Sequence, residues 1–409
     1  MDQTRAAIVA RAITDAGLAG VSEPDLLHAF CRSLVAEGLP VARATVLIDT
    51  LHPVHEGRAF RWRRDQAVQE PILEYGRTSG GGQAAQNWQR SPFFHLVQSG
   101  EDLLRRNLAA GDPEDFPVVG DARTEGQTDF VAMIHRFAAD GVIGEMDCVY
   151  SSWTTDAPGG FSDGEVAMLC ALTPTLALAM KCASLARIAE TLVETYLGRD
   201  AGRRVLNGRI ARGVTDRIEA VLWFSDLRSF THITETAAPD EIIPFLNDYA
   251  QAIISSVHEA GGDVLKLIGD GTLAIFKTGE PAQDCRCALL AERLMRSRIG
   301  VLNEARSGLG LPVTDAYLGL HIGEVFYGNV GSHERLDFTV VGPAVNEATR
   351  IAALCRSVEK DVLVSSAFAE AASGPDRVRL VSVGRFALKG IQRPRELFTL
   401  EPDTDGLSV

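Results

Sequence analysis

The stretch 266-KLIGDGTLAIF-276 constrains the fold more than any other part of the chain. Leu267, Ile268, Leu273, Ile275 and Phe276 suit a buried sheet. Asp270-Gly271 is a dipeptide favoured in tight hairpin turns, because glycine adopts the required backbone angles without steric cost. A hairpin here commits its neighbours to one sheet. It also carries two charges that a plain hairpin does not need: Lys266 on the incoming strand and Asp270 at the tip.

Around the hairpin, strand and helix patterns alternate. Strand-like AVLWFSD (220–226) precedes a helix near 239–260, which runs into Gly261-Gly262. After the hairpin comes a helix near 281–306. TDAYLGLHIG (314–323) is expected to pair with VFYGNVG (325–331), followed by DFTVV (337–341) and a helix from Pro343 to about Arg356. Strands near 361–365, 379–386 and 396–401 complete a β-α-β-β-α-β core with additions, an α+β fold of ferredoxin-like type over 219–402.

Residues 1–180 read as a separate α+β domain. Helices near 4–16 and 24–37 precede a strand at 42–50. A long polar middle contains Gly80-Gly81-Gly82 and the acidic loop 111-GDPEDFP-117. The glycine run lacks the following lysine of a phosphate-binding loop and reads as a flexible connection. A strand at 142–153 leads to an apolar helix opening at Ser162-Asp163-Gly164-Glu165, acidic residues suiting the positive end of a helix. Residues 181–218 read as a helical connector, with Leu185, Ile188, Leu192, Tyr196 and Leu197 on one narrow apolar seam. Pairing with the same helix of a second subunit and packing on its own domain both fit that seam.

With 409 residues the chain exceeds one ordinary domain. A formal net charge of −14 argues against general affinity for nucleic acid or anionic membrane, though not against a small anionic substrate. The seven cysteines are scattered, and Cys285 and Cys287 lack the second pair of a zinc site; Cys148 and Cys170 read as core thiols. The first residues, MDQTRAAIVARAITDAG, lack the apolar core of a signal peptide. The run 166-VAMLCALTPTLALAM-180 is short for a membrane span and is interrupted by Thr173, Pro174 and Thr175. It reads as a buried helix, and the expected location is cytoplasmic.

Asp226 ends an otherwise apolar strand, and a compact β-α-β-β core makes that strand a neighbour of the hairpin bearing Asp270. Two carboxylates at one sheet edge repel unless a proton or cation is shared. Oxygen ligands of this kind suit Mg²⁺ or Mn²⁺, which bind one or two carboxylates together with substrate phosphates. Each aspartate alone also reads as a turn or capping residue. In 342-GPAVNEATR-350, proline opens a helix, and Asn346 and Arg350 share one face of it. An arginine there offers a planar fork of donors to charge on phosphorus.

The blocks 224-FSDLRSFT-231, 261-GGDVLKLIGDGTLAIF-276, 319-GLHIGEVFYGNVGS-332, 339-TVVGPAVNEATR-350 and 388-LKGIQRP-394 occur in this order. Through them, 219–402 resembles the catalytic domain of class III nucleotidyl cyclases, the adenylate/guanylate cyclase family. The resemblance implies attack of a nucleotide's 3′-hydroxyl on its own α-phosphate, giving a 3′,5′-cyclic monophosphate and pyrophosphate. It implies that Asp226, Asp270 and the backbone carbonyl of Leu227 hold two Mg²⁺ or Mn²⁺ ions per site. Asn346 would orient the ribose, Arg350 stabilise the transition state and Lys389 contact the triphosphate.

Lys266 matches the lysine that reads adenine in adenylate cyclases, where guanylate cyclases usually carry glutamate. Its usual aspartate partner is replaced by Thr339, the mark of a class IIIb subgroup, some of whose members respond to bicarbonate or CO₂. Asp337 lies two positions out of register and is given no role. A threonine hydroxyl can accept from the adenine amino group, while a lysine can also donate to guanine O6. ATP is therefore the expected substrate, with GTP or a pyrimidine triphosphate as the near alternative and a catalytically silent nucleotide-binding regulator as the distant one. The family also implies a homodimer, with Asp226 and Asp270 serving one active site and Lys266, Thr339, Asn346 and Arg350 the other. The close of the N-terminal region, a strand and then 160-GFSDGEVAMLCALTPTLALAM-180, is similar to the end of GAF-type sensor domains. That implies an unidentified small-molecule or cofactor ligand; His52, His55, His95 and His135 could include a haem ligand, though lone histidines without a paired motif are more often ordinary surface or core residues.

Overall fold

Val9 and Ile13, one turn apart, form the buried stripe of the first helix, α1 (Gln3–Leu18). Leu26, Leu27, Phe30, Cys31 and Leu34 do the same for α2 (Glu23–Ala36). The computed structural model describes residues 3–66, 71–137, 143–144 and 146–401, and the chain divides into two compact units, Met1–Leu192 and Val193–Val409.

The first unit continues with β1 (Arg43–Asp49), β2 (Gly57–Arg63), β3 (Leu73–Tyr75), α3 (Gln83–Gln89), α4 (Pro92–Ser99), β4 (Leu103–Arg106), α5 (Pro117–Thr124), β5 (Asp129–Arg136), β6 (Cys148–Thr155) and α6 (Asp163–Leu197). Its strands form one antiparallel sheet in the order β3-β2-β1-β6-β5-β4. One face packs under α1, α2 and α6, where Phe30 meets Trp153 edge-on at 5.6 Å. The other packs with α3, α4 and α5 around Phe93, Phe130 and Tyr150. The polar middle of the sequence therefore hides four strands, β2 to β5. In β6, the part of the expected strand at residues 142 and 145 lies outside the described residues.

Helix α6 begins with a reciprocal cap: Ser162 N–H donates to Glu165 Oε2 at 2.7 Å, and Glu165 N–H donates to Ser162 Oγ at 3.3 Å. By length and composition it is apolar enough to cross a membrane. Leu169, Leu172, Leu176 and Met180 are instead buried in the core of the first unit. Burial is one-sided, which corrects two expectations: Leu178 is exposed, and Cys170 is an exposed thiol because it falls one position off the buried stripe. Cys148 is buried as expected. Of the connector seam, Leu185, Ile188 and Leu192 pack on the core of the first unit, while Tyr196 is 81% exposed.

In the second unit α7 (Arg199–Leu206) precedes β7 (Thr215–Leu227), α8 (Phe230–Thr236), α9 (Pro239–Glu259), β8 (Asp263–Ile268), β9 (Gly271–Phe276), α10 (Pro281–Gly308) and β10 (Ala316–Gly331). There follow β11 (Leu336–Val341), α11 (Pro343–Val358), β12 (Val362–Ser365), α12 (Ser366–Ala371), α13 (Gly374–Val378), β13 (Leu380–Phe386) and β14 (Arg395–Leu400). The sheet order is β13-β14-β12-β10-β7-β9-β8, with β11 added to β10. Strands β10-β7-β9-β8 with α9 and α10 make the expected β-α-β-β-α-β core. Trp223, Phe276, Phe245 and Tyr249 pack between sheet, α9 and α10; Leu222, Ile275, Ala344 and Ala348 pack on the opposite face, under α11.

Two local expectations change. Residues 314–323 and 325–331 do not pair with each other; they run through Gly323-Glu324 as the single strand β10. Both halves bond to β7, from Ala316 opposite Leu227 to Gly328 opposite Thr215. A long partner strand holds the chain extended where a turn was expected. In the opening hairpin, the turn residues are Gly269-Asp270, since Ile268 pairs with Gly271. Gly269 takes the positive φ of +64° and Asp270 does not, the pattern of a turn with glycine at the first central position. Gly271 is a strand residue lying under Phe224, where a Cβ would stand 2.9 Å from the ring.

Candidate active site

Strand β7 leaves the core at Asp226, and the pairing of Ser225 with Thr272 brings that end level with the hairpin tip. Asp270 turns its carboxylate back across the tip, and Leu227 N–H donates to its Oδ2 at 3.2 Å. Burial, then the charge of Asp270 and a hydrogen bond with it, push the Asp226 carboxyl up to about 6. Excess negative charge in an oxygen-only donor set is what a divalent cation relieves, so Asp226, Asp270 and the Leu227 carbonyl fit Mg²⁺ or Mn²⁺. Among the described residues no third carboxylate, histidine or cysteine completes a protein-only cage, which leaves positions for phosphate and water. Just beyond, Ser229 holds φ +54° in the left-handed region, rare for a residue with a side chain, as the chain turns from β7 into α8. No sequence pattern marks that conformation.

Lys266 lies on β8 just after a bulge between Val264 and Lys266. Its ammonium pairs with the carboxylate of Asp337 on β11. Thr339, two residues further along β11, is buried opposite Gly328 of β10. The structure thus gives Asp337, to which the sequence pattern assigns no role, a direct partner at an expected site residue.

Helix α11 lies against β10 and presents Asn346 on its surface, with Arg350 one turn on and half-buried. Neither side chain makes a hydrogen bond or ion pair with another described residue. The loop between β13 and β14 passes over Arg350: a Cβ on Gly390, which has φ +73°, would sit 3.4 Å from the guanidinium. That approach sets the exposed Lys389 in the same neighbourhood. Three groups therefore form within one chain: Asp226, Leu227 and Asp270; Lys266 with Asp337 on the strand of Thr339; and Asn346 and Arg350 beside Lys389. Among the described residues no hydrogen bond or ion pair joins one group to another.

In the first unit a cavity of about 790 Å³ is lined by Met133, His135, Phe137, Pro174 and Lys181, among others. His135 Nδ1 is buried there without a partner, and burial lowers its pKa. Lys181 Nζ lies 4.1 Å from the Phe137 ring centre. His52 is occupied by backbone N–H groups of Val54 and His55, and His55 Nε2 meets Glu74 at 2.9 Å. His95 lies edge-on to Phe116 at 5.8 Å.

Residues 215–402 match the family model of the adenylate and guanylate cyclase catalytic domain. An adenylate cyclase of Anabaena cylindrica is 35% identical over 172 residues, which cover 41% of this chain and 34% of that protein. Adenylate cyclase 1 of Rhizobium meliloti (strain 1021) is 31% identical over 179 residues, 42% of this chain and 26% of its own length. The chain thus spans about a third of the first relative and a quarter of the second. The crystal structure of the adenylyl cyclase CyaB from P. aeruginosa shares 23% identity at a TM-score of 0.42, over 48% of this chain and 100% of that one. Over residues 215–402, a little under half of its length, the chain is thus similar to the adenylate/guanylate cyclase catalytic domain.

Proposed function

We propose that the protein is an adenylate cyclase, converting ATP to 3′,5′-cyclic AMP and pyrophosphate at sites shared between two copies of the chain. The observation that carries the reading is the half-buried carboxylate pair at the tip of β7 and the hairpin, with the Asp226 carboxyl raised to about 6. Asp226, Asp270 and the Leu227 carbonyl would hold the two ions of each site, and Mg²⁺ or Mn²⁺ held there would supply acidification of the 3′-hydroxyl and neutralisation of the triphosphate charge. Asn346 orients the ribose. Arg350, a guanidinium with no acidic partner among the described residues, is free to meet the charge that builds on the α-phosphate. Lys389 approaches the leaving phosphates. Lys266 and Thr339 take the base, a donor for a ring nitrogen and an acceptor for the amino group.

The choice of ATP draws support from Lys266 and from the two relatives named as adenylate cyclases. Separation of the three residue groups within one chain supports completion of each site by a second copy. Residues 1–180 serve as a GAF-like regulatory domain and 181–218 as the helical connector to the catalytic domain. The six-stranded antiparallel sheet with helices on both faces and the 790 Å³ cavity favour a ligand-sensing role.

The test is formation of cyclic product from ATP, GTP, CTP and UTP with Mn²⁺, by wild type and Asp270→Ala. ATP is expected to be the best substrate, and the variant to lose activity by about 100-fold or more, the scale of losing a preorganised electrostatic contact. Equal activity of wild type and variant would end the enzyme reading; preference for another triphosphate would end the assignment of ATP.

A further inference from the structure

Lys266 is the one residue on β8 whose charged end reaches across to β11, and it does so through Asp337. Among the described residues neither side chain has another ionic partner. Asp337 stands opposite Val330 and Thr339 opposite Gly328, so alternation along β11 puts both on the side away from Phe338 and Val340, which turn into the core. One strand therefore carries the acceptor proposed to face the base and, two residues earlier, the carboxylate that holds the lysine.

We propose that Asp337 is a positioning residue for base recognition, fixing the Lys266 ammonium beside Thr339; the inference rests on the reading of Lys266 as the base-contacting residue. A lysine ammonium has three donors on a flexible four-carbon stem. Engaging one of them with Asp337 leaves two for the nucleotide and removes most of the conformations that the stem would otherwise sample. An exposed ion pair of this kind contributes little to stability, which leaves orientation as the effect of having it. In this chain the aspartate usually found at position 339 is missing, and a carboxylate reaches the lysine from 337 instead.

Four full-length proteins test this: wild type, Asp337→Asn, Asp337→Glu and Lys266→Met, with the double variant Lys266→Met/Asp337→Asn as control. Each is assayed for kcat and KM with ATP and with GTP in Mn²⁺, and for thermal unfolding. Asp337→Asn is expected to raise KM for ATP by about 3- to 10-fold with kcat changed less than about 2-fold, to lower the ATP-to-GTP ratio of kcat/KM, and to leave the melting temperature unchanged. Asp337→Glu recovers part of the loss, and Asp337→Asn adds nothing in the Lys266→Met background. If Lys266→Met shifts nucleotide preference while Asp337→Asn leaves KM and preference intact, the role of Asp337 is overturned and the base reading stands. If Lys266→Met itself leaves preference intact, the base reading falls and this inference with it. A loss that persists at full size in the Lys266→Met background also overturns it.

Discussion

Asp226 sits where a strand of otherwise apolar residues reaches the surface, and that placement has a thermodynamic consequence. Its carboxyl is raised to about 6 in the fold, against a value near 4 in an unfolded chain, so the folded state binds the proton more tightly. Stability from this group is therefore present at low pH and lost as pH rises through about 6. A shift of about two units corresponds to roughly 3 kcal/mol, which partial exposure reduces to about 1.5. In metal-free protein, wild type should lose stability relative to Asp226→Asn between about pH 4 and 6, and Mn²⁺ should restore it in wild type alone. Calorimetric melting curves of the two proteins, with and without Mn²⁺, check this; parallel pH profiles would refute it. At this scale the carboxylate pair and the Asn346–Arg350 face were legible in the sequence, because each follows from a strand end, a turn or a helical repeat. Asp337 was not. Its partner lies 71 residues away, and only the folding of β11 against β8 brings the two together.

Strand β10 carries α11 closely because Gly319 has no side chain: a Cβ there would stand 2.5 Å from both the Ala348 carbonyl oxygen and the Ala352 amide nitrogen. Those atoms belong to the helix that presents Asn346 and Arg350, so the glycine sets the height of the site above the sheet. Gly319→Ala is expected to push α11 outward, costing about 1–3 kcal/mol by overpacking. It should lower kcat more than it raises KM for ATP. Gly300 provides the contrast, an exposed glycine inside α10 where an added Cβ would meet nothing within 4 Å; Gly300→Ala should stabilise by about 0.5–1 kcal/mol through helix propensity. Urea unfolding and steady-state kinetics of both variants separate the two effects, and equal behaviour would contradict the packing account. Elements were legible wherever periodicity was strong, as in α9 and α11. The break expected near Gly323 failed because glycine in a strand marks either a turn or a close approach, and here Gly323 lies under α11, where a Cβ would come 2.9 Å from that of Ala344.

Across the whole molecule, the second unit was legible in topology, while the first was read only at its ends. Strands such as GRAFRWR and LLRR are short and carry two or three arginines each, and without the sheet that takes them up they resemble polar loop. What the fold of the second unit adds is a set of apolar side chains with nothing over them: Leu267 and Ile268 of β8, Phe326 and Val330 of β10 and Val341 of β11 are each 43–51% exposed. These strands carry Lys266 and Thr339, and an uncovered apolar patch beside these residues fits the second copy of the domain that the proposed function calls for. Sites shared in this way make a specific prediction for mixed dimers. On the proposed reading Asp270→Ala removes a metal ligand and Arg350→Ala the transition-state arginine, so each variant alone is expected to be inactive. When the two are co-expressed in equal amounts, half of the dimers are mixed, and each mixed dimer holds one site with both defects and one with neither. Activity should recover to about a quarter of wild type per total protein, as a two-fold dimer with sites across its interface requires. No recovery in a verified mixed dimer would place the two residues in the same active site within one chain, and the interface would then have to be explained without shared catalysis.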